Sequence, residues 1–455
     1  MTFRRPVALM LFSLLLASPI SGCLGAEEEI QEEEVEFLLL ADEMRRGEFH
    51  DFIISGETKL TVPPTVLLFI EEKLQVSGTI QAEGEDLQGS LLIPPTTMNF
   101  SLELNSQILD YETVEGTPIV SGKEWFEKME FITSVCSDSS ACGGYVNRWM
   151  GSPNPNFERA ASYFQGHFEG LGYETHLMRV SDHLNPTQPE SLNVIAWKRG
   201  IRDDCVQGMG SHMDIAPPGG PPGGGTYEGA YDNTAGTVSM MLFARALVDI
   251  ELECDTFLGL WSSEEEGLRG SNAFANNDCS YCLPTDKELR FYINMDMMGI
   301  SWPAYKENGD PFPYHAWSGP DNDPEVVEQA ITAVMDTVHF DILQAPRNLT
   351  ADNGYGAGCD QHWDEHSSLT LDVHEDTFGR SDHVTFRNKG AQTIFHLGAY
   401  DEDYSAYHSP TDTLDNMVEV VGGQENLENS LEFVMWAAFI ELLIADRTPE
   451  VRNVG

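Results

Sequence analysis

Three apolar runs in the middle of the chain, Val206 to His212, Thr256 to Trp261 and Arg290 to Met295, have the length and continuity of strands buried on both faces of a parallel sheet. Each ends in a polar side chain that can bind a metal. His212 closes the first, Glu264-Glu265 follow the second, and Asp296 closes the third. In an open α/β sheet, ligands bind outside the carboxyl ends of the strands. Three such endings therefore predict one sheet edge that gathers these side chains.

From Lys123 onward, strands alternate with longer helical periodicity, which predicts an α/β domain over 123–448 with a mixed, mostly parallel sheet flanked by helices. Leu192 to Trp197 and Gln392 to Leu397 read as further strands. Phe157 to Leu171, ended by Gly172, reads as an amphipathic helix, and Asn233 to Val248, Pro324 to Val338 and Glu425 to Ile444 read as helices too. Residues 37–115 differ in character. Thr58 to Val62, Val66 to Ile70, Leu74 to Ile80, Gly89 to Ile93 and Asn99 to Leu104 are short apolar or alternating runs between Gly, Pro and acidic residues, which predicts a small all-β domain.

The 455 residues, 41% of them hydrophobic, can bury a large core, while the formal charge of −49 repels phosphate backbones and anionic lipid. Nucleic acid is thereby excluded as a partner. Such an acidic excess also fits a protein that stays soluble in high salt, where screening weakens self-repulsion.

Arg4-Arg5, an apolar run from Pro6 to Ile20 and the small residues before Cys23 resemble a lipoprotein signal peptide over 1–22, with Cys23 as the lipid attachment point. A simple secretory signal beside a structural cysteine is the alternative. Residues 23–36 then read as an acidic tether, with seven Glu among the eleven residues 26–36. Either reading puts the mature chain outside the cytoplasm, at the cell surface or beyond it. No later segment predicts a membrane span, because the apolar stretch Phe433 to Ile444 is short and interrupted by Glu441. Exported cysteines default to disulfides. Cys136 with Cys142 is the expected pair, and Cys279-Ser280-Tyr281-Cys282 reads as a loop disulfide rather than a zinc knuckle; seven cysteines after Cys23 leave at least one thiol unpaired.

Several motifs add ligand types to the sheet edge. Ser211-His212-Met213-Asp214 puts an imidazole and a carboxylate two residues apart on extended backbone, where Asp214 could take one ring N–H of His212. Gly229-Ala230-Tyr231-Asp232-Asn233 places Asp232 just ahead of a helix, either as a ligand or as a helix cap. Ser263-Glu264-Glu265-Glu266-Gly267 directly follows a buried strand, and Tyr407-His408-Ser409-Pro410 sits in a polar loop. Two imidazoles with several carboxylates suit zinc. Because no Gly-x-Ser-x-Gly segment occurs at a strand-to-helix turn, attack by a serine nucleophile is disfavoured.

In this order, and beginning with Arg159-Ala160-Ala161, Leu171-Gly172-Tyr173-Glu174 and Asn193-Val194-Ile195-Ala196, the motifs resemble the co-catalytic di-zinc aminopeptidases of metallopeptidase family twenty-eight. Relatives of that family include glutamate carboxypeptidases and the transferrin-receptor ectodomain. The resemblance implies a zinc exopeptidase fold and two Zn2+, with Asp232 bridging them, His212 and Asp296 completing one site, and Glu265 and His408 the other. It further implies Glu264 as general base, Asp214 as the partner of His212, and Tyr407 as a donor to the developing oxyanion. A shift by one residue, with Glu265 as base and Glu266 as ligand, stays open, although Gly267-Leu268-x-Gly270-Ser271 favours the first register. Ser381-Asp382-His383 reads as structural. The Pro/Gly stretch 217–225 lengthens the His212 to Asp232 interval relative to the compact family pattern.

The expected activity is removal of amino-terminal residues from peptides. A zinc carboxypeptidase or a glutaminyl-cyclase-like enzyme on the same fold is the runner-up, and a binding protein with a degenerate site the alternative of another class. The charge generates a test of its own. The thermal unfolding midpoint should rise between dilute buffer and molar sodium chloride, and an unchanged midpoint would detach the −49 charge from salt adaptation.

Overall fold

The computed structural model describes residues 36–447 except 57, 71–72, 83–86, 94–97, 138–140, 151–153, 181–190, 218–226, 319–349, 352–358, 363–370, 377–378 and 400–402. The signal-like residues 1–22, Cys23, the tether up to Val35, the Pro/Gly stretch from 218 and the expected helix Pro324 to Val338 lie outside the described residues.

The first lobe is an eight-stranded sheet of β1 (Glu36–Leu39), β2 (Met44–Arg45), β3 (Phe49–Ser55), β4 (Thr58–Ile70), β5 (Lys73–Ala82), β6 (Leu87–Leu92), β7 (Asn99–Leu104) and β8 (Gln107–Val114). The order is β1-β3-β6-β4-β7-β8-β2, with β5 paired to β4. Period-two alternation builds its core. In Asn99–Leu104 every second residue, Phe100, Leu102 and Leu104, is buried and meets Phe52, Ile54 and Leu91. The two runs expected at Thr58 to Val62 and Val66 to Ile70 are one strand. Its register shifts between Val62 and Leu67, where Pro63 and Pro64 lack the N–H a regular ladder needs.

The second sheet has ten strands: β9 (Glu174–Val180), β10 (Ser191–Lys198), β11 (Cys205–His212), β12 (Asp255–Trp261), β13 (Glu288–Asp296), β14 (Tyr314–Ser318), β15 (Thr350–Ala351), β16 (Cys359–His362), β17 (Leu371–Asp376) and β18 (Gln392–Leu397). Their order is β15-β16-β17-β14-β18-β13-β11-β12-β10-β9. At the centre, β18, β13, β11 and β12 run parallel, whereas β10 pairs antiparallel with both β12 and β9 on one side and β14 pairs antiparallel with β18 on the other. Every residue of β11 and β12 is buried, including the polar Gln207, Ser211 and Thr256, whose side chains are hydrogen-bonded. Edge strand β9, with its mixed sequence Glu-Thr-His-Leu-Met-Arg-Val, gave no such signal.

Helices cover the sheet. In α1 (Gly122–Thr133), the Ser121 side chain accepts from Glu124 N at the start. Asn154 accepts from the N–H groups of Asn156 and Phe157 to start α2 (Pro155–Gly170), and Pro155 sits where its missing N–H costs nothing. Gly172, at φ +90°, ends that helix in the conformation glycine adopts without strain. Phe157, Ala160, Ala161, Phe164 and Phe168 form its buried stripe. The last helix, Gln424–Arg447, is exposed at its start and nearly enclosed from Ser430 onward. Its Glu441 accepts a 2.7 Å hydrogen bond from His396 Nε2 of β18, which explains a carboxylate inside an apolar stretch.

Three disulfides are present among the described residues: Cys136–Cys142, Cys279–Cys282 and Cys205–Cys254. The first two are the local bridges expected from spacing. The third, spanning 49 residues, joins the starts of the neighbouring strands β11 and β12. Closing a loop of that length stabilises by about 4 kcal/mol in the chain-entropy account. C205A/C254A should therefore lower the urea-unfolding free energy by roughly that amount, and a loss below about 1 kcal/mol would show the bridge to be incidental.

Candidate metal centre

Parallel pairing aligns the strand ends. His212 lies opposite Trp261, and Asp296 opposite Leu397, so the ends of β11, β12 and β13 open on one edge. Between β11 and α3 (Ala235–Ala246), the chain makes a single wide helical turn, Ala230–Thr234, in which Asp232 and Asn233 leave helical geometry. Asn233 anchors that turn. Its amide donates to Ser211 Oγ and Met295 O, both at 3.0 Å, and its carbonyl oxygen accepts from Gly236 N at 2.9 Å. A Cβ at Gly236 would come within 2.3 Å of Ser211 Oγ, so the helix start lies directly against β11. With Asn233 capping α3, the Asp232 carboxylate is left for other partners.

Those partners are two histidines. Asp232 Oδ1 lies 3.2 Å from His212 Nε2, and Asp232 Oδ2 lies 3.0 Å from His408 Nε2. His212 Nε2 is also 3.2 Å from Asp296 Oδ1, and His408 Nε2 is 3.1 Å from Glu265 Oε2. His212, Asp232 and Asp296 thus offer one ligand set and Asp232, Glu265 and His408 a second, the ligand atoms of each set lying within 4.8 Å of one another.

Glu264, Glu265 and Glu266 separate here. Glu265 faces His408, Glu264 lines the pocket beside Asp232 and Asp296, and the carbonyl of Glu266 accepts from Arg269 Nε. Their turn is held from two sides. Asp214 accepts from Glu264 N and Glu265 N through its two carboxylate oxygens, at 3.2 and 3.3 Å, and Asn193 bonds Ser262 N and Gly270 O. The sequence expectation gave Asp214 to His212 alone. In the structure its backbone carbonyl, 3.2 Å from His212 Nδ1, is nearer than its carboxylate at 3.6 Å. Tyr407 stacks on His408 with ring centres 3.9 Å apart and reaches the pocket edge.

Residues that sequence reasoning gave no role in the site complete the setting. Asp412 accepts from Tyr231 N, Asp232 N and Tyr404 Oη, tying the His408 loop to the Asp232 turn. Ser381, read as structural, donates to Asp296 Oδ2 at 2.8 Å and accepts from Asn294. Arg380 stands on the pocket with Met297, Phe395 and Leu397. The polarity of Asp412 and Arg380 carried no signal, since each is one common residue in a loop, whereas Ser381 lay in a segment that resembled the family but was read as structural.

Burial raises the cost of every charge here. Burial alone would discharge His212, but Asp296 and Glu264 outweigh it and hold the imidazole well above its ordinary range. Against its own burial, His408 is pushed up to about 11 by hydrogen bonds to Asp232 and Glu265. The same two histidines hold buried Asp232 below the usual carboxylate range. Glu265, buried and facing Asp232, is pushed up to about 7, and Glu264 is raised well above the carboxylate range, by burial first and then by Asp296. Both histidine shifts favour the imidazolium form, whose positive charge faces the surrounding carboxylates. The donor set fits a cation in another respect: Glu265 Oε1 is buried without a hydrogen-bond partner.

Residues 193–357 match the sequence profile of Peptidase family M28. The match ends before Tyr407 and His408. Leucine aminopeptidase 2 of Arthroderma otae is 33% identical over 110 residues, which cover 24% of this chain and 19% of that protein. Leupeptin-inactivating enzyme 1 of Streptomyces exfoliatus is 25% identical over 238 residues, or 51% of this chain and 41% of that one. The chain thus spans less than half the length of these relatives. Among solved structures, the zinc aminopeptidase of Bacillus subtilis aligns at 21% identity and TM-score 0.38 over 55% of this chain and 50% of its own.

Histidines bind a metal through a deprotonated nitrogen, whereas the surrounding carboxylates raise both imidazoles above their ordinary range and so favour their protonated forms. Zinc uptake at pH 7 should therefore release more than one proton per chain. Titration calorimetry in buffers of different ionisation enthalpy measures this, and an enthalpy independent of the buffer would contradict the raised histidines.

Proposed function

We propose that the chain is an exported aminopeptidase that holds two zinc ions and removes amino-terminal residues from peptides. One observation carries this reading: the two oxygens of Asp232 face two different histidines, and each histidine has its own further carboxylate. His212 and Asp296 would hold one ion, His408 and Glu265 the other, with Asp232 between them. When bound, a zinc pair supplies Lewis-acid polarisation of a carbonyl and a water acidified to neutral pH.

The chain's own residues do the rest. Glu264 borders the pocket without belonging to either ligand set, and burial gives it a proton affinity above that of a surface carboxylate. It can accept a proton from water and pass it to the leaving amine. Burial keeps the Tyr407 phenol protonated, so it can donate to a carbonyl oxygen as that oxygen gains charge. Met297, Phe395 and Leu397 give the pocket, about 150 Å3 in volume, an apolar wall suited to one aliphatic side chain. The carboxylates around it favour a substrate's ammonium group.

Three disulfides among the described residues support an oxidising destination, and no helix among them is long and apolar enough to cross a membrane. Lipid attachment at Cys23 and the division into a β domain at 37–115 and a peptidase domain at 123–448 belong to the same proposal.

Arg380 gives a second reading some weight. Arg269, the one cation inside the metal motifs, bonds its own turn, whereas Arg380 lines the pocket, and a carboxypeptidase needs a guanidinium for the substrate carboxylate. Mass spectrometry of peptide digests separates the two. Amino-terminal acetylation should abolish cleavage and carboxyl-terminal amidation should leave it intact; the reverse pattern makes the enzyme a carboxypeptidase. In the same assay Glu264→Gln should lose at least a hundredfold in kcat while retaining zinc, and Glu265→Gln should lose zinc. Zinc loss in the first variant and retention in the second would exchange their roles.

A further inference from the structure

Arg148 is fully buried, and its guanidinium meets no carboxylate within salt-bridge distance among the described residues. Burying a guanidinium without an adjacent counter-ion is costly, so its contacts should account for its presence. Nε donates to Met213 O at 2.8 Å, one terminal nitrogen donates to Tyr145 O at 2.5 Å, and the other donates to Thr234 Oγ1. Met213 is the residue between His212 and Asp214, and Thr234 lies two residues beyond Asp232. Thr234 in turn donates to Glu228 O at 2.9 Å, which fixes its hydroxyl to receive the guanidinium.

One planar fork therefore grips both segments whose side chains meet at His212 Nε2 and Asp232 Oδ1. The segment that delivers it is itself held: Asn154 bonds the carbonyls of Asn147 and Trp149 on either side of Arg148, and Asn147 N donates to Tyr227 O. Asp214, Asp412 and Glu228 supply the negative field in which the charge sits.

We infer that Arg148 is the positioning residue that fixes the separation of the His212 and Asp232 ends of the metal site. The inference rests on the zinc reading above. It requires Arg in particular, because three donors held in a rigid plane cannot be reproduced by an ammonium on a flexible stem.

The test is zinc affinity, measured by competition with a chromophoric chelator, together with the visible spectrum of the cobalt-substituted protein. Arg148→Lys should keep its native far-UV spectrum, bind zinc roughly 10- to 100-fold more weakly, and shift the cobalt bands. Arg159→Lys is the control, since Arg159 also donates to two backbone carbonyls, those of Gly143 and Gly144, but touches no ligand segment. It should leave zinc affinity unchanged, and a loss equal to that of Arg148→Lys would reduce the effect to general destabilisation and overturn the inference. If Arg148→Lys does not fold, Thr234→Val decides, because it removes one acceptor while keeping the guanidinium. Weaker zinc binding supports the inference, and wild-type affinity overturns it. Wild-type protein that takes up no zinc fails the proposed function, whereas tight wild-type binding matched by Arg148→Lys overturns the inference alone.

Discussion

The site depends on one carboxylate shared between two imidazoles. Asp232 sits between His212 and His408, and Asp296, Glu264 and Glu265 crowd the same largely enclosed volume. Such a group of buried carboxylates is untenable unless positive charge is interleaved with it. The carboxylates raise both histidines toward the imidazolium form that would provide that charge, and a dication would provide it in their place. The chemistry and the stability of this edge are thus one electrostatic problem.

Holding the carboxylates at fixed separations takes a second ring of contacts, mostly to backbone. Asp214 gathers the N–H groups of Glu264 and Glu265, Asp412 gathers those of Tyr231 and Asp232, Asn193 pins the glutamate turn, and Asn233 ties the Asp232 turn to β11 and β13. Side chains that bind backbone resist drift, because a peptide group within a packed element has no rotamer to change. Arg148 belongs to this ring and is its cationic member.

Much of the architecture was legible because it follows from local rules. The strand ends at Trp197, His212, Trp261, Met295 and Leu397 were placed within one residue of where they fall, since a strand buried on both faces is mostly apolar and its run stops where polar residues cluster. Elements with weaker burial escaped notice. Edge strand β9 and the outer strands β1 and β8 carry mixed side chains because one or both faces meet solvent.

By itself the sequence determined the residue types at the sheet edge, their order, and the buried strands that carry them there, because these depend on periodicity and on where each apolar run stops. Only the tertiary structure decided that Asp232 serves two histidines while Asn233 caps the helix, that Glu265 rather than Glu266 faces His408, and that the Asp214 carboxylate holds the glutamate turn. It also decided that Arg148 reaches two segments 65 and 86 residues away. Those outcomes depend on distances between residues remote in the chain, which follow from strand register and from the competition of buried polar groups for the same few partners.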